Sequence, residues 1–248
     1  MTQKQADNPT IYILHGWSLE PELKDRWNSL RELLHQEGYK TNYLLLPGFD
    51  QPLTQPLTLN HYRDYVLERI GKKEKVILIG HSFGGQLAVR LAAAQPDNLK
   101  AIILIAPAGI IDRSLTKRAK RMVFKTAAKM GKLIADQLPL PTQQKLEKLL
   151  YKAAREQDYH RAPPAMKQTM QNVLADEVIS DFPQVEVPTL IIWGDKDRYT
   201  PIKHAPLFVA HIFQAQLKII AGESHRPYYT QPELVADHIN YFLKKHVV

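Results

Sequence analysis

Three residue types suited to nucleophilic catalysis stand at the ends of apolar runs in this chain. They are a serine between glycines, two closely spaced aspartates and a histidine. The serine is Ser82, in Gly80-His81-Ser82-Phe83-Gly84. It fits G-x-S-x-G, a strand-turn-helix pattern that lifts a serine hydroxyl to the apex of a sharp turn. Val76-Ile77-Leu78-Ile79 leads into it, and Gln86-Leu87-Ala88 leads away in a helical pattern. Such a turn forces the serine into a sparsely populated backbone conformation, at a cost of about 1–3 kcal/mol. Side chains at Gly80 and Gly84 would collide across it, and Gly85 lets helix and strand pack closely. Oγ then sits at a helix N-terminus, where free N–H groups and the helix dipole favour developing negative charge. The plainer reading is a strand-to-helix turn with an incidental serine.

A serine hydroxyl needs a base, and the base needs an orienter. In the chain order that goes with this pattern, a carboxylate follows a later strand and a histidine follows after it. Trp193-Gly194-Asp195-Lys196-Asp197-Arg198 follows one strand-like run, and Gly222-Glu223-Ser224-His225 follows the next. The plainer reading of either aspartate is a capping or surface carboxylate, common in loops. No H-E-x-x-H, no tight histidine cluster and no G-x-x-x-x-G-K-[ST] loop is present, so no metal and no cofactor is expected.

The elements that must position these residues alternate along the chain. Strands are predicted at Thr10 to Leu14, Tyr39 to Leu46, Val76 to Ile79, Lys100 to Ile105, Val187 to Trp193 and Gln216 to Ile220. Helices are predicted at Leu23 to Gln36, with Gly38 as a stop, and at Leu59 to Ile70, with Leu59, Tyr62, Val66 and Ile70 on one face. Others follow Ser82 as far as about Ala94, then cover Ile202 to Ala210 and Glu233 to Lys244. This alternation predicts an α/β fold: a mostly parallel six-stranded sheet with helices on both faces. All three candidate loops then fall at the carboxyl edge of the sheet, where such sheets bind ligands.

Residues 113–181 break the alternation. Helices are predicted there from about Leu115 to Ile134, at Gln143 to Arg155 and at Pro164 to Ala175, with no clear strand. The expected organisation is a core of 1–112 and 182–248 with an all-helical insertion of 113–181 after the fourth strand. The whole chain carries 33 Lys and Arg against 25 Asp and Glu, a formal charge of +8. Arg113 to Asp176 holds 14 of the former and 5 of the latter, so that segment alone is +9 and the remainder −1. A charge confined to one insertion argues against a whole-protein nucleic-acid binder. The basic face around Lys117, Arg118, Lys120, Arg121, Lys125 and Lys129 reads first as solvated surface. Attraction to an anionic substrate or membrane surface comes second.

There is no cysteine, and Met1 to Pro9 is polar, without an apolar leader. The longest apolar run, near Ala101 to Ala106, is far too short to span a bilayer. A soluble, cytoplasmic protein is expected.

With these motifs in place, the chain resembles the α/β-hydrolase superfamily. The resemblance rests on His15-Gly16, the Ser82 turn, Gly194-x-x-Asp197 and His225 before a final amphipathic helix. In that family the acid stands three residues after the strand-end glycine with a proline soon after. Asp197 and Pro201 match this and Asp195 does not. The resemblance implies Ser82 as nucleophile, His225 as base and Asp197 as its orienter. The backbone N–H of Phe83 would be one oxyanion donor. The family's His-Gly-x turn makes Trp17 the other, with His15 bracing that turn. His15, Gly16, His81, Met122 and Tyr228 make up the candidate substrate-binding set, with His81 read as either structural or pocket-lining. The insertion would be a lid over the site. Two departures from the family do not touch the catalytic set. Nine residues precede Thr10, so the sheet is trimmed relative to the largest members, and Leu46 stands where an aspartate often precedes the Pro-Gly.

The expected reaction is hydrolysis of a carboxylic ester or similar small acyl compound through an acyl-enzyme. Thioester, amide and carbon–carbon bond hydrolysis run on the same scaffold, and a slow-turnover ligand-binding protein is a further alternative.

Overall fold

The computed structural model describes residues 8–72, 74–111 and 162–247. Six strands form one sheet: β1 (Thr10–Leu14), β2 (Thr41–Leu44), β3 (Val76–His81), β4 (Leu99–Ile105), β5 (Thr189–Gly194) and β6 (Ala215–Ile220). Their order is β2-β1-β3-β4-β5-β6, and all five pairings are parallel. The alternation of strands and helices dictates this, because parallel neighbours need helical crossovers to return the chain to the same sheet end.

Helix α1 (Asn28–Gln36) follows β1. It starts later than the apolar pattern predicts. Two 3-10 turns, Pro21–Leu23 and Asp25–Trp27, occupy the stretch before it. Trp27 is fully buried there, so tertiary packing of the indole overrides a continuous helix. The predicted stop is present: Gly38 has φ 89° and its N–H donates to the His35 carbonyl at 2.9 Å. Only glycine takes that left-handed conformation without a Cβ penalty.

Helix α2 (Leu59–Ile70) buries Leu59, Tyr62, Val66 and Ile70, the predicted stripe, and Thr58 caps it by accepting from His61 N–H. Helix α3 (Phe83–Ala93) follows β3, and its residues 83–89 are buried on every side. The rest of the described helices are α4 (Pro164–Ala175), α5 (Ala205–His211), the short α6 (Pro227–Thr230) and α7 (Pro232–His246). Among the described residues no helix is long and apolar enough to cross a membrane.

Two cores flank the sheet. Leu78, Ile102, Leu104 and Ile191 face one side with α2, α3 and α5, where Val66, Leu87 and Phe208 pack. Ile77, Ile79, Ile103, Ile105 and Ile192 face the other, against Leu30 and Leu34 of α1 and Val235, Ile239 and Phe242 of α7. Successive strand residues point to opposite faces, so near-continuous aliphatic runs are what a sheet covered on both sides requires.

Of the predicted insertion, residues 162–181 are described. Helix α4 matches its predicted span. The first two predicted helices, Met122 and the basic face lie outside the described residues. Residues 109–111 and 177–178, on either side of the predicted insertion, lie side by side. Ile111 N–H donates to Glu177 Oε1 at 2.9 Å, and Val178 N–H to the Gly109 carbonyl at 3.0 Å. The return is tied to α3: Gln86 Nε2 donates to the carbonyls of Val173 at 3.0 Å and Asp176 at 2.5 Å. Arg90 meets Asp176 at 2.9 Å and Asp181 at 2.5 Å.

Candidate functional site

Ser82 stands between β3 and α3 with φ 52° and ψ −113°. A β-carbon makes this region unfavourable, so the backbone is strained. The surroundings over-determine it. Ser82 N–H donates to the Ile105 carbonyl at 3.0 Å, and its own carbonyl accepts from Gly85, Gln86 and Ala108 N–H at 2.9, 3.1 and 3.0 Å. The glycines of the turn are there for space. A methyl at Gly80 would overlap the Gly84 carbonyl, and one at Gly84 would overlap the Leu14 carbonyl. At Gly85 it would come within 2.8 Å of Pro107 Cβ, so this glycine clears the loop after β4.

The acid and the histidine come together at the ends of β5 and β6. His225 Nδ1 donates to Asp197 Oδ2 at 2.7 Å, and the carboxylate is almost fully buried. Asp197 Oδ1 accepts from the N–H groups of Tyr199 (2.8 Å) and Thr200 (3.1 Å), and Oδ2 also accepts from Thr200 Oγ1 at 2.8 Å. Burial pushes the Asp197 pKa up. The hydrogen bond and charge of His225, with the Thr200 and Tyr199 donors, outweigh it and hold the carboxyl below its ordinary value. The carboxylate is therefore ionised, and His225 carries its proton on Nδ1, which leaves Nε2 as the basic nitrogen.

Gly194 makes this meeting possible. A methyl there would overlap the carbonyls of Glu223 and Ser224, so the loop carrying His225 crosses directly over the end of β5. Lys196 N–H donates to the Glu223 carbonyl at 2.8 Å across the crossing. Asp195 is exposed, and its Oδ1 accepts from Gly222 N–H at 2.7 Å. It secures the histidine loop and does not touch the ring.

The turn after β1 supplies the opposite wall. His15 is fully buried. Its Nδ1 donates to the Gly16 carbonyl at 2.8 Å, and its Nε2 accepts from Leu46 N–H at 3.1 Å. Both ring nitrogens are satisfied in the neutral state, and burial lowers its pKa to about 4 against the smaller upward effect of the Gly16 bond. The Trp17 ring is partly exposed and lies 5.4 Å from the Phe83 ring. Phe83 is the first residue of α3, so its N–H has no partner within the helix. Gly16 packs against the elbow, since a methyl there would stand 2.6 Å from His81 Nδ1 and 3.3 Å from Ser82 Cβ. His81 and Tyr228 are buried beneath this surface, with Tyr228 stacked on Trp27 at 3.8 Å.

Two residues escaped the sequence reading. Thr200 fixes the acid and, through a 3.0 Å contact of its hydroxyl with the Ala106 carbonyl, ties the acid loop to the loop after β4. Its signal was its place between Asp197 and Pro201. Phe49 closes an aromatic wall, 5.1 Å from Trp17 and 4.6 Å from His15. An aromatic directly after Pro47-Gly48, at the carboxyl end of a strand, was the clue. Among the described residues no group of three or more metal-ligating side chains occurs.

The buried neutral histidine has a consequence for stability. Unfolded, His15 titrates near 6.5; folded, near 4. The unfolded chain binds more protons between these values, so stability falls as pH drops from 6.5 towards 4, by up to roughly 3 kcal/mol from this group alone. Asp197, depressed below its ordinary value, continues the loss at still lower pH. Thermal melts between pH 8 and pH 4.5 are expected to be level above about 7 and to fall steadily below 6.5. A melting temperature that rises on acidification would contradict the assignment.

Comparison with known proteins bears on this geometry. The sequence model of the alpha/beta hydrolase family matches residues 11–238. A pimeloyl-[acyl-carrier protein] methyl ester esterase of Nitrosomonas europaea is 22% identical over 240 residues, covering 92% of this chain and 93% of that protein. Human monoacylglycerol lipase ABHD6 is 24% identical over 276 residues, covering 97% and 77%. Among solved structures, a thermophilic esterase from Thermogutta terrifontis superposes with a TM-score of 0.68 at 23% identity, covering 97% and 91%.

Proposed function

We propose that this chain, which belongs to the alpha/beta hydrolase family, is a serine hydrolase that cleaves a small carboxylic ester through an acyl-enzyme. The observation that carries the reading is the 2.7 Å bond between His225 Nδ1 and Asp197 Oδ2, on the sheet edge that also presents the strained Ser82. The names of the relatives, a methyl ester esterase and a monoacylglycerol lipase, support an ester over an amide or a carbon–carbon bond.

In this reading Ser82 Oγ attacks the carbonyl carbon and its proton passes to His225 Nε2. The negative oxygen of the tetrahedral intermediate is held by the N–H groups of Trp17 and Phe83. One such donor is worth about 3 kcal/mol in kcat. The imidazolium, stabilised by Asp197, protonates the departing alkoxide. Water then attacks the acyl-enzyme with His225 as base, releasing the acid and restoring the serine hydroxyl. Trp17 and Phe49 line the acyl side. The substrate in this reading is a small acyl compound, and the reading calls for no nucleic acid and no cofactor. The basic face of the insertion attracts anionic substrates or surfaces weakly.

A chromogenic ester panel from acetyl to palmitoyl tests the proposal, together with fluorophosphonate labelling mapped by peptide mass. Turnover of short or medium esters and a single adduct on Ser82 are expected. An adduct elsewhere would remove Ser82 from the mechanism. Labelling without turnover would mean a competent site for another acyl class. Neither labelling nor turnover would favour a ligand-binding protein.

A further inference from the structure

His81 precedes the nucleophile, and its side chain turns away from solvent beneath the site. Its Nε2 lies 2.8 Å from the backbone carbonyl of His225, 144 residues further along the chain. A carbonyl only accepts, so the ring must carry its proton on Nε2. Burial first, then the nearby His225, Arg226 and His15, hold the His81 pKa well below the ordinary value despite the bond to the His225 carbonyl. The ring is therefore neutral, with Nδ1 bare. That nitrogen has no hydrogen-bond partner, and it faces Gly16. The ring is clamped between others: His225 at 4.7 Å, Tyr228 at 4.9 Å and Trp27 at 6.4 Å between centroids.

The contacts of the histidine loop explain why this matters. At 222–223 the loop is bonded to Asp195 and Lys196, on the acid side. At 225 its carbonyl is bonded to the residue covalently joined to Ser82. One hydrogen bond thus fixes the backbone of the base relative to the backbone of the nucleophile, while the Nδ1 edge of the same ring abuts the turn bearing Trp17.

We propose that His81 is a positioning residue, which sets the distance between base and nucleophile through its Nε2–H bond to the His225 carbonyl. This rests on the roles given above to Ser82 and His225. Removing the donor while keeping the ring shape frees the base loop to shift, and a misplacement of about 1 Å costs on the order of 100-fold in rate. Substrate contacts on the Trp17 and Phe49 side are untouched, so the loss falls on kcat and not on KM.

His81→Phe and His81→Gln test it. His81→Phe is expected to lower kcat by about 100-fold with KM within a factor of two, and to slow fluorophosphonate labelling in step. His81→Gln offers an N–H donor from a side chain of similar reach, and is expected to recover at least ten-fold of that loss. Equal losses in both variants, tracking a fall in melting temperature, would make His81 merely structural and overturn the proposal. So would unchanged kcat in His81→Phe. A measurement independent of activity separates this from failure of the hydrolase reading: the 15N shifts of the imidazole at pH 7. Protonated Nε2 with bare Nδ1 is expected. The opposite tautomer, or a charged ring, would overturn the proposal even in an active enzyme.

Discussion

Ser82→Ala is expected to abolish ester turnover, by about a million-fold in kcat, with the folded state intact. The expectation comes from how little else the substitution changes. Ser82 is held by its backbone, through bonds to Ile105, Gly85, Gln86 and Ala108. Alanine keeps all four, and it occupies φ 52° at the same steric cost as serine. The melting temperature should therefore move by no more than a few degrees. What disappears is Oγ, the atom that forms the covalent bond to the acyl group in the proposed mechanism. His225 remains but has nothing to deprotonate except water, which is neither anchored nor aligned for attack. The proposed oxyanion donors, Trp17 and Phe83 N–H, remain as well, so a small residual rate over bulk solution is expected. The panel of esters checks this directly, and loss of the fluorophosphonate adduct should accompany it. A variant that keeps native turnover would place the nucleophile elsewhere and undo the mechanism.

That such an experiment can be designed from the chain alone reflects which interactions are local. Helix α2 was legible because its capping residue Thr58 and its four-residue apolar stripe are contiguous in sequence. The Ser82 turn was legible because a collision with the Gly84 carbonyl, four residues on, dictates glycine at Gly80; Gly84 itself clears the Leu14 carbonyl, a partner seventy residues away that spacing does not show. The start of α1 was not. Nothing within Pro21 to Trp27 announces that the Trp27 indole will stack on Tyr228, two hundred residues later, and bend the backbone into two 3-10 turns. The same holds at the site. Gly194 was noticed only through resemblance, because the atoms it makes room for belong to Glu223 and Ser224. The contacts of Thr200 with Ala106 and of His81 with His225 span the chain, and spacing carries no trace of either contact. Strand ends slid by one or two residues for a similar reason. Thr189, not Val187, opens β5, where pairing with Ile102 of β4 begins.

Asp197→Asn is the second large effect, about ten-thousand-fold in kcat, and its cause is a proton in the wrong place. Oδ1 of Asp197 accepts two backbone N–H groups, from Tyr199 and Thr200. An asparagine at this position keeps those bonds only if its oxygen takes the Oδ1 site. Its amide nitrogen is then driven into the Oδ2 site, 2.7 Å from His225 Nδ1. Two donors cannot face each other, so the imidazole proton moves from Nδ1 to Nε2. The nitrogen that should receive the Ser82 proton is now already protonated, and the site is assembled but inert. The substitution is isosteric, so KM and the melting temperature should change little. Asp195→Asn is the matched control. Its oxygen still accepts from Gly222 N–H, and its side chain does not reach the ring, so kcat should stay within about five-fold of native. Steady-state kinetics on the two variants decide between the aspartates. Collapse in Asp195→Asn with near-native Asp197→Asn would reverse the assignment. Collapse in Asp197→Asn alone would tie the rate to the tautomer of His225, the one feature of the site that a single buried carboxylate oxygen controls.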